Sequence, residues 1–222
     1  PNPSATLSVL GIQKQRAIRS FILQWLKRQS MAGVSVFPPL NEGTYDQFKI
    51  SDLQLAKSAN LNTPITACVS HLQAAQEFIE NQSAELIVKP IIGGQYAEAL
   101  SQINLAQWFQ YYGPLILQEY IKGPSCRVLF FKGIGMSAFI SSDHHEVDWR
   151  AATQESSPPM RWSPLQLPDT LTDKLSCFFN LSQLDIASID MIMSDDQFYF
   201  LEANTTPSWL DLPVPFADKI TQ

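Results

Sequence analysis

Apolar positions along the chain recur with two periods, and the changes from one to the other mark its elements. In residues 14–28, KQRAIRSFILQWLKR, Ile18, Phe21, Ile22, Trp25 and Leu26 fall three and four apart, which predicts a helix. Such a stripe is expected to pack within its own chain, with a dimer surface as the alternative. After Gly33 a short apolar run, VSVF, is stopped by Pro38 and Pro39. KISDLQLAKSANL predicts a helix that opens at Lys49, is capped by Ser51 and closes near Asn60, and TPIT then leads into a strand over residues 67–69. Ser70 is placed to cap a further helix running to Ile79.

ELIVKP predicts a strand with Lys89 at its end, followed by the turn IIGGQY. A helix over 105–112 precedes the strand PLILQEYI, and CRVLFFKGIGMSAFIS predicts a hairpin turning at Lys132 and Gly133. Residues 152–168, rich in Ser, Pro and Gln, are expected to form a surface loop. A helix over 171–181 then leads to strands over 187–193 and 197–202, joined at Ser194-Asp195-Asp196. Helices mixed with adjacent hairpins predict an α+β arrangement rather than a regular βαβ succession.

The last hairpin carries the residues that least resemble ordinary core. Asp190 interrupts IASIDMIM, where an unpaired buried carboxylate would be costly. Glu202 and Asn204 follow the apolar run FYFL and, two apart in extended chain, share a direction. Asp190 and Glu202 lie on paired strands at positions that can sit nearly opposite one another. The trio offers hard oxygen ligands of the kind magnesium shares with phosphates, and a polar strand end beside a loop is the competing reading. Lys89 and the adjacent Gly93-Gly94 can meet phosphate, or can be a solvated strand end and a turn. Glu119 and Tyr120 end another strand, where backbone groups can meet an adenine edge or simply turn at Gly123. Arg127 and Arg150 are the arginines best placed for anions, with a structural Asp148–Arg150 pair as the alternative for the second. His71, His144 and His145 read as surface histidines, and no nucleophile elbow is present.

Composition narrows the field. With 222 residues, 45% of them hydrophobic, the chain can bury a core for one large domain or for two small lobes sharing a cleft. A formal charge of −6 without a basic tract argues against nucleic acid as a main partner. Cys68, Cys126 and Cys177 show neither a C-x-x-C pair nor zinc spacing, so free thiols in a reducing compartment are expected. No apolar run approaches the ~18 residues of a membrane span, and a cytoplasmic protein is expected.

In their order, KISDLQLAKSANLNTPIT, ELIVKPIIGG, LILQEYIKG, VDWR, IASIDMIM and FYFLEANTTPSW resemble the ATP-grasp superfamily of carboxylate–amine ligases. The nearest flavour is the peptide-modifying ligases that crosslink microviridin-like peptides, with RimK-type ligases more distant. The resemblance covers about residues 41–212 and implies a two-lobed ATP-grasp-like fold with the nucleotide site in the interlobe cleft. It divides the chain into a helix and short strand over 1–40, a first lobe through the hinge strand over 41–122, and a second lobe with the metal site over 123–222.

The same resemblance implies an ATP- and Mg-dependent ligase that activates a carboxylate as an acyl phosphate for attack by an amine or hydroxyl. The acceptor would be a small molecule or a peptide. Lys49 and Lys89 would contact ATP phosphates, Gly93 and Gly94 would belong to the loop over them, and Gln118, Glu119, Tyr120 and Ile121 would form the adenine hinge. Asp190, Glu202 and Asn204 would hold magnesium, while Arg150 and Arg127 would approach the transferred phosphate or the acceptor carboxylate. The alternative is a non-catalytic nucleotide- or peptide-binding protein that keeps the fold. The chain departs from the family pattern at Ser125, where an acidic residue often stands two before the arginine. It also has only about 40 residues ahead of the matched region, where the family usually has another α/β lobe.

Overall fold

A computed structural model of the chain describes residues 3–34, 49–91, 97–141 and 162–205. The chain divides into two compact units, Pro1–Tyr45 and Asp46–Gln222. The first contains helix α1, Pro3–Met31. Gly33, at φ 86°, ends it in a Schellman motif: the Val34 N–H reaches the Gln29 carbonyl at 3.1 Å and the Gly33 N–H reaches Ser30 at 3.0 Å. Ile18, Ile22 and Trp25 are exposed and Phe21 is 71% exposed. No helix among the described residues is long and apolar enough to cross a membrane. The expected strand over 34–37 lies outside the described residues apart from Val34.

The second unit holds two antiparallel sheets. The four-stranded sheet has the order β1-β4-β2-β3, from Thr66–Val69, Leu115–Glu119, Leu86–Pro90 and Glu98–Ala99. Helices α3, Leu72–Glu80, and α4, Leu105–Tyr112, cover one of its faces. Val69, Val88, Leu115 and Leu117 meet Ala75 and Trp108 there. Because strand side chains alternate, Lys89, Ile116 and Gln118 point to the opposite face. The cap of α3 is His71 rather than Ser70, its Nδ1 accepting from the Ala74 N–H at 3.2 Å. Asn104 caps α4 through Oδ1.

The five-stranded sheet has the order β7-β6-β5-β8-β9. These strands are Trp162–Leu165, Gly135–Ser141, Ser125–Phe131, Ile186–Ser194 and Gln197–Asn204. Trp162–Leu165 corrects the expectation that 152–168 is all loop, since its four residues pair with Ala138–Ser141. Helices α2, Lys49–Ser58, and α5, Asp169–Ser182, share a core with this sheet. Leu53, Ala56, Leu175 and Phe178 pack with Val128, Ile189, Met191 and Phe200. Full burial of side chains such as Phe178 and Phe200 stabilises the fold by roughly 2–3 kcal/mol each.

Lys49 is already helical, so Ser51 lies inside the first turn of α2 instead of capping it. The helix ends as its sequence predicts. Asn60 takes φ 59° and Leu61 donates back to the Ala56 carbonyl at 2.9 Å, a Schellman end with asparagine in the left-handed position. Asn62 then runs beside β9, its carbonyl accepting from the Phe200 N–H at 2.8 Å, before the chain enters β1. Gly123 brings the chain from β4 into β5 at close range. A Cβ there would overlap the Met193 carbonyl oxygen of β8, so only glycine fits.

Candidate functional site

The β8–β9 hairpin turns at Asp195 and Asp196, both with positive φ (49° and 60°), as type I′ turns require. From the turn, Met193 pairs with Phe198 and Met191 with Phe200, and Phe200 faces the helices. Strict alternation would then send Glu202 and Asn204 to the same core face. A β-bulge prevents this. Leu201 is the extra residue between the Met191–Phe200 and Asp190–Glu202 pairs, and beyond it Ala203 takes the core position opposite Ile189. Glu202 and Asn204 are thereby turned to the other face, which Asp190 shares.

Asp190 is held as a buried ion pair. Arg127, its partner across the β5–β8 ladder, donates Nε to Oδ1 at 2.8 Å and a terminal nitrogen to Oδ2 at 3.2 Å. The same guanidinium lies 5.6 Å from the ring centre of Trp162 on β7. Asn204 donates Nδ2 to Asp190 Oδ2 at 3.1 Å and to Glu202 Oε1 at 3.5 Å. On the other side of Glu202, Lys49 brings its ammonium to 3.3 Å of Oε2, and this lysine is only 8% exposed. Around the hairpin, then, two cations, Lys49 and Arg127, stand among the carboxylates of Asp52, Asp190 and Glu202.

Asp52 was not singled out in the sequence. It lies one helical turn after Lys49, and burial pushes its carboxyl from 3.8 to about 6, with the Ala203 backbone hydrogen bond opposing and the Glu202 charge adding to the rise. The folded state therefore holds this proton more tightly than the unfolded one. Its contribution to stability falls as pH rises from about 4 through about 6 and is then level. Asp52→Asn should remove that loss. Its advantage over the original, measured by urea unfolding, should be small near pH 4 and grow to at most about 3 kcal/mol above pH 7. Equal effects at both ends would show that Asp52 ionises as freely in the fold as outside it.

The four-stranded sheet presents a second polar chain. Lys89 Nζ donates to Gln118 Oε1 at 3.0 Å, Gln118 Nε2 donates to Thr66 Oγ1 at 2.8 Å, and Gln118 is fully buried. The lysine is thus positioned from three strands rather than left as a solvated end. Glu119 extends the β1–β4 ladder through its side chain, with Oε2 accepting from the Ile65 N–H at 3.1 Å. Tyr120 N–H goes to the Glu85 carbonyl, and the chain continues through Ile121 to Gly123. Gly93, Gly94 and Arg150 lie outside the described residues. Cys126 beside Arg127 is buried, its thiol pushed up to about 12 by desolvation, which unsuits it for nucleophilic chemistry.

The structure thus brings Asp190, Glu202, Asn204, Arg127 and Lys49 together, and separately links Lys89 to Gln118. The carboxylates of Asp190 and Glu202 are hard oxygen groups of the kind magnesium takes, and the Asn204 amide donates its nitrogen to both. Among the described residues, no three His, Cys, Asp or Glu side chains converge on a ready metal cage.

No protein-family model matches the chain, and no curated protein matches it. Solved structures do. The macrocyclase MdnC from Microcystis aeruginosa MRC, bound with precursor peptide MdnA, is 23% identical over 86% of this chain and 64% of its own, with a TM-score of 0.67. The ATP-grasp ligase PsnB, complexed with minimal precursor, Mg and ADP, is 18% identical over 100% of this chain and 74% of its own, with a TM-score of 0.67. The D-alanine–D-alanine ligase from Bacillus anthracis, complexed with ATP, is 20% identical over 78% of this chain and 60% of its own, with a TM-score of 0.56. The chain spans less than two thirds of the length of MdnC, and at these identities the likeness speaks for architecture. Two antiparallel sheets flanked by helices, in this order, make an ATP-grasp-like two-lobed fold.

Proposed function

We propose that the protein is an ATP- and Mg-dependent ligase that activates a carboxylate as an acyl phosphate for attack by an amine or hydroxyl, on a peptide acceptor. The observation that carries this reading is the bulge at Leu201, which takes Glu202 and Asn204 out of the core and sets them beside Asp190. PsnB, with the same kind of fold, was captured with Mg, ADP and a minimal precursor, and MdnC with a precursor peptide.

In this reading Asp190, Glu202 and Asn204 hold the magnesium, which when bound supplies charge neutralisation for the phosphoryl oxygens. Lys89, fixed by Gln118, and Lys49 meet the phosphates, and Gly93 and Gly94 belong to the loop over them. The segment Gln118 to Ile121 is the adenine hinge; with the Glu119 carboxylate engaged by Ile65, its backbone is the better reader of the purine edge. Arg127 orients Asp190, and Arg150 approaches the acceptor carboxylate. The protein's share of the catalysis is alignment and electrostatics, for which no side-chain nucleophile is needed.

The test is calorimetric titration with ATP in magnesium and in EDTA. Magnesium-dependent binding is expected, falling by at least about tenfold in Glu202→Gln and Asp190→Asn variants that keep their circular dichroism. ADP release on adding a carboxylate-bearing peptide would then identify turnover. A folded chain that binds no Mg·ATP overturns the ligase reading, and Mg·ATP binding without ADP release across acceptors supports the non-catalytic binding protein instead.

A further inference from the structure

The two carboxylates at the bulge are neutralised in different ways. Asp190 has a fork: Arg127 reaches both of its oxygens, is buried and lies against the Trp162 ring, so it has no easy second position. The cation on Glu202 is a lysine ammonium at 3.3 Å, carried on a flexible four-carbon stem from the first residue of α2. Ammonium is a compact point charge without a preferred fork, able to turn from a carboxylate to a phosphate by rotating its stem. It is also placed where a divalent cation using Glu202 would need room and would be repelled.

We infer that Lys49 is the metal's internal competitor at Glu202 and is handed over to the phosphates of an incoming nucleotide, so that divalent cation and nucleotide load together. This rests on the ligase reading above and adds to it a coupling between its two ligands. When Lys49 leaves, Glu202 gives up the ammonium at 3.3 Å, and its attraction for a divalent cation rises. Before the nucleotide arrives, the Lys49 ammonium at Glu202 keeps that attraction low. The competing view is a fixed staple between α2 and β9, in which Lys49 never leaves Glu202.

The two views separate in binding measurements that need no turnover. Free Mn2+ binding, followed by electron paramagnetic resonance without nucleotide, should be about tenfold tighter in Lys49→Met than in the unmodified chain. ADP binding in EDTA should be several-fold tighter in Glu202→Gln, because Lys49 then no longer has the Glu202 carboxylate to leave. Both gains are required. Unchanged or weaker Mn2+ binding in a folded Lys49→Met variant overturns the handover, as does unchanged or weaker metal-free ADP binding in Glu202→Gln. The second measurement decides alone if Lys49→Met does not fold. Mn·ADP binding by the unmodified chain with neither gain sinks the handover only, whereas no Mn·ADP binding by the unmodified chain removes the ligase reading and the handover with it.

Discussion

Arg127→Met should destabilise the fold by about 3–5 kcal/mol, because it takes a guanidinium fork from a mostly buried carboxylate while leaving the aliphatic packing nearly intact. Arg127 and Asp190 are mostly buried, with side-chain exposures of 10% and 16%, and are joined by two hydrogen bonds. Asn204 also donates to Asp190, and one amide does not replace a guanidinium fork. The double variant Arg127→Met/Asp190→Asn separates two origins of that loss. If the penalty comes from the carboxylate that has lost its fork, the double variant should recover a large part of it, and urea unfolding of the four chains gives the coupling directly. A single-variant loss below about 1 kcal/mol would mean that water reaches Asp190 and the pair behaves as a surface bridge. The Mg·ATP affinity of the double variant should stay low even where stability returns, since a carboxylate proposed to hold the metal is gone.

That pair also answers a question left by the sequence. Ser125 stands where an acidic residue often precedes the arginine by two, which suggested an arginine without an orienting carboxylate. The carboxylate comes from β8 instead, because the antiparallel β5–β8 register sets Arg127 directly opposite Asp190. A partner 63 residues away in sequence is invisible to any local reading.

Much of the fold was legible because local patterns and tertiary demands agreed. The helix over 105–112, the hairpin at Lys132 and Gly133, and the β8–β9 turn at Asp195 and Asp196 all follow from period and turn chemistry, and all are present. What escaped were features set by long-range packing. Trp162–Leu165 looks like loop because Ser and Pro are poor strand formers, yet it pairs with β6 as an edge strand, where proline is tolerated. The place of α2 against the five-stranded sheet could not be read from a helix that precedes the other sheet in the chain. Asp52 escaped for the same reason: on its own helix it is an ordinary first-turn acid, and only β9 makes it part of the site.

The bulge was legible in principle, as a conflict of parity. Phe198, Phe200, Glu202 and Asn204 share one face of an ideal strand, and no single face suits both phenylalanines in the core and a carboxylate at a polar site. Adding one residue, Leu201, resolves the conflict, and this yields a contrast between two deletions. Removing Leu201 leaves Phe200 inward, Glu202 outward and Ala203 inward, so the chain should still fold. Its Mg·ATP binding should weaken, because the bulge's added twist aims Glu202. Removing Ala203 leaves no such solution. Keeping the bulge sends Asn204 into the core beside Ile189, and losing it sends Glu202 there. Either costs several kcal/mol, comparable with the whole stability of a domain. Thermal melts of the two deletions should therefore differ widely, with a cooperative transition for the first and none for the second. Equal melting of the two would mean that the strand shifts its register freely, and that Glu202 owes its place to something other than the bulge.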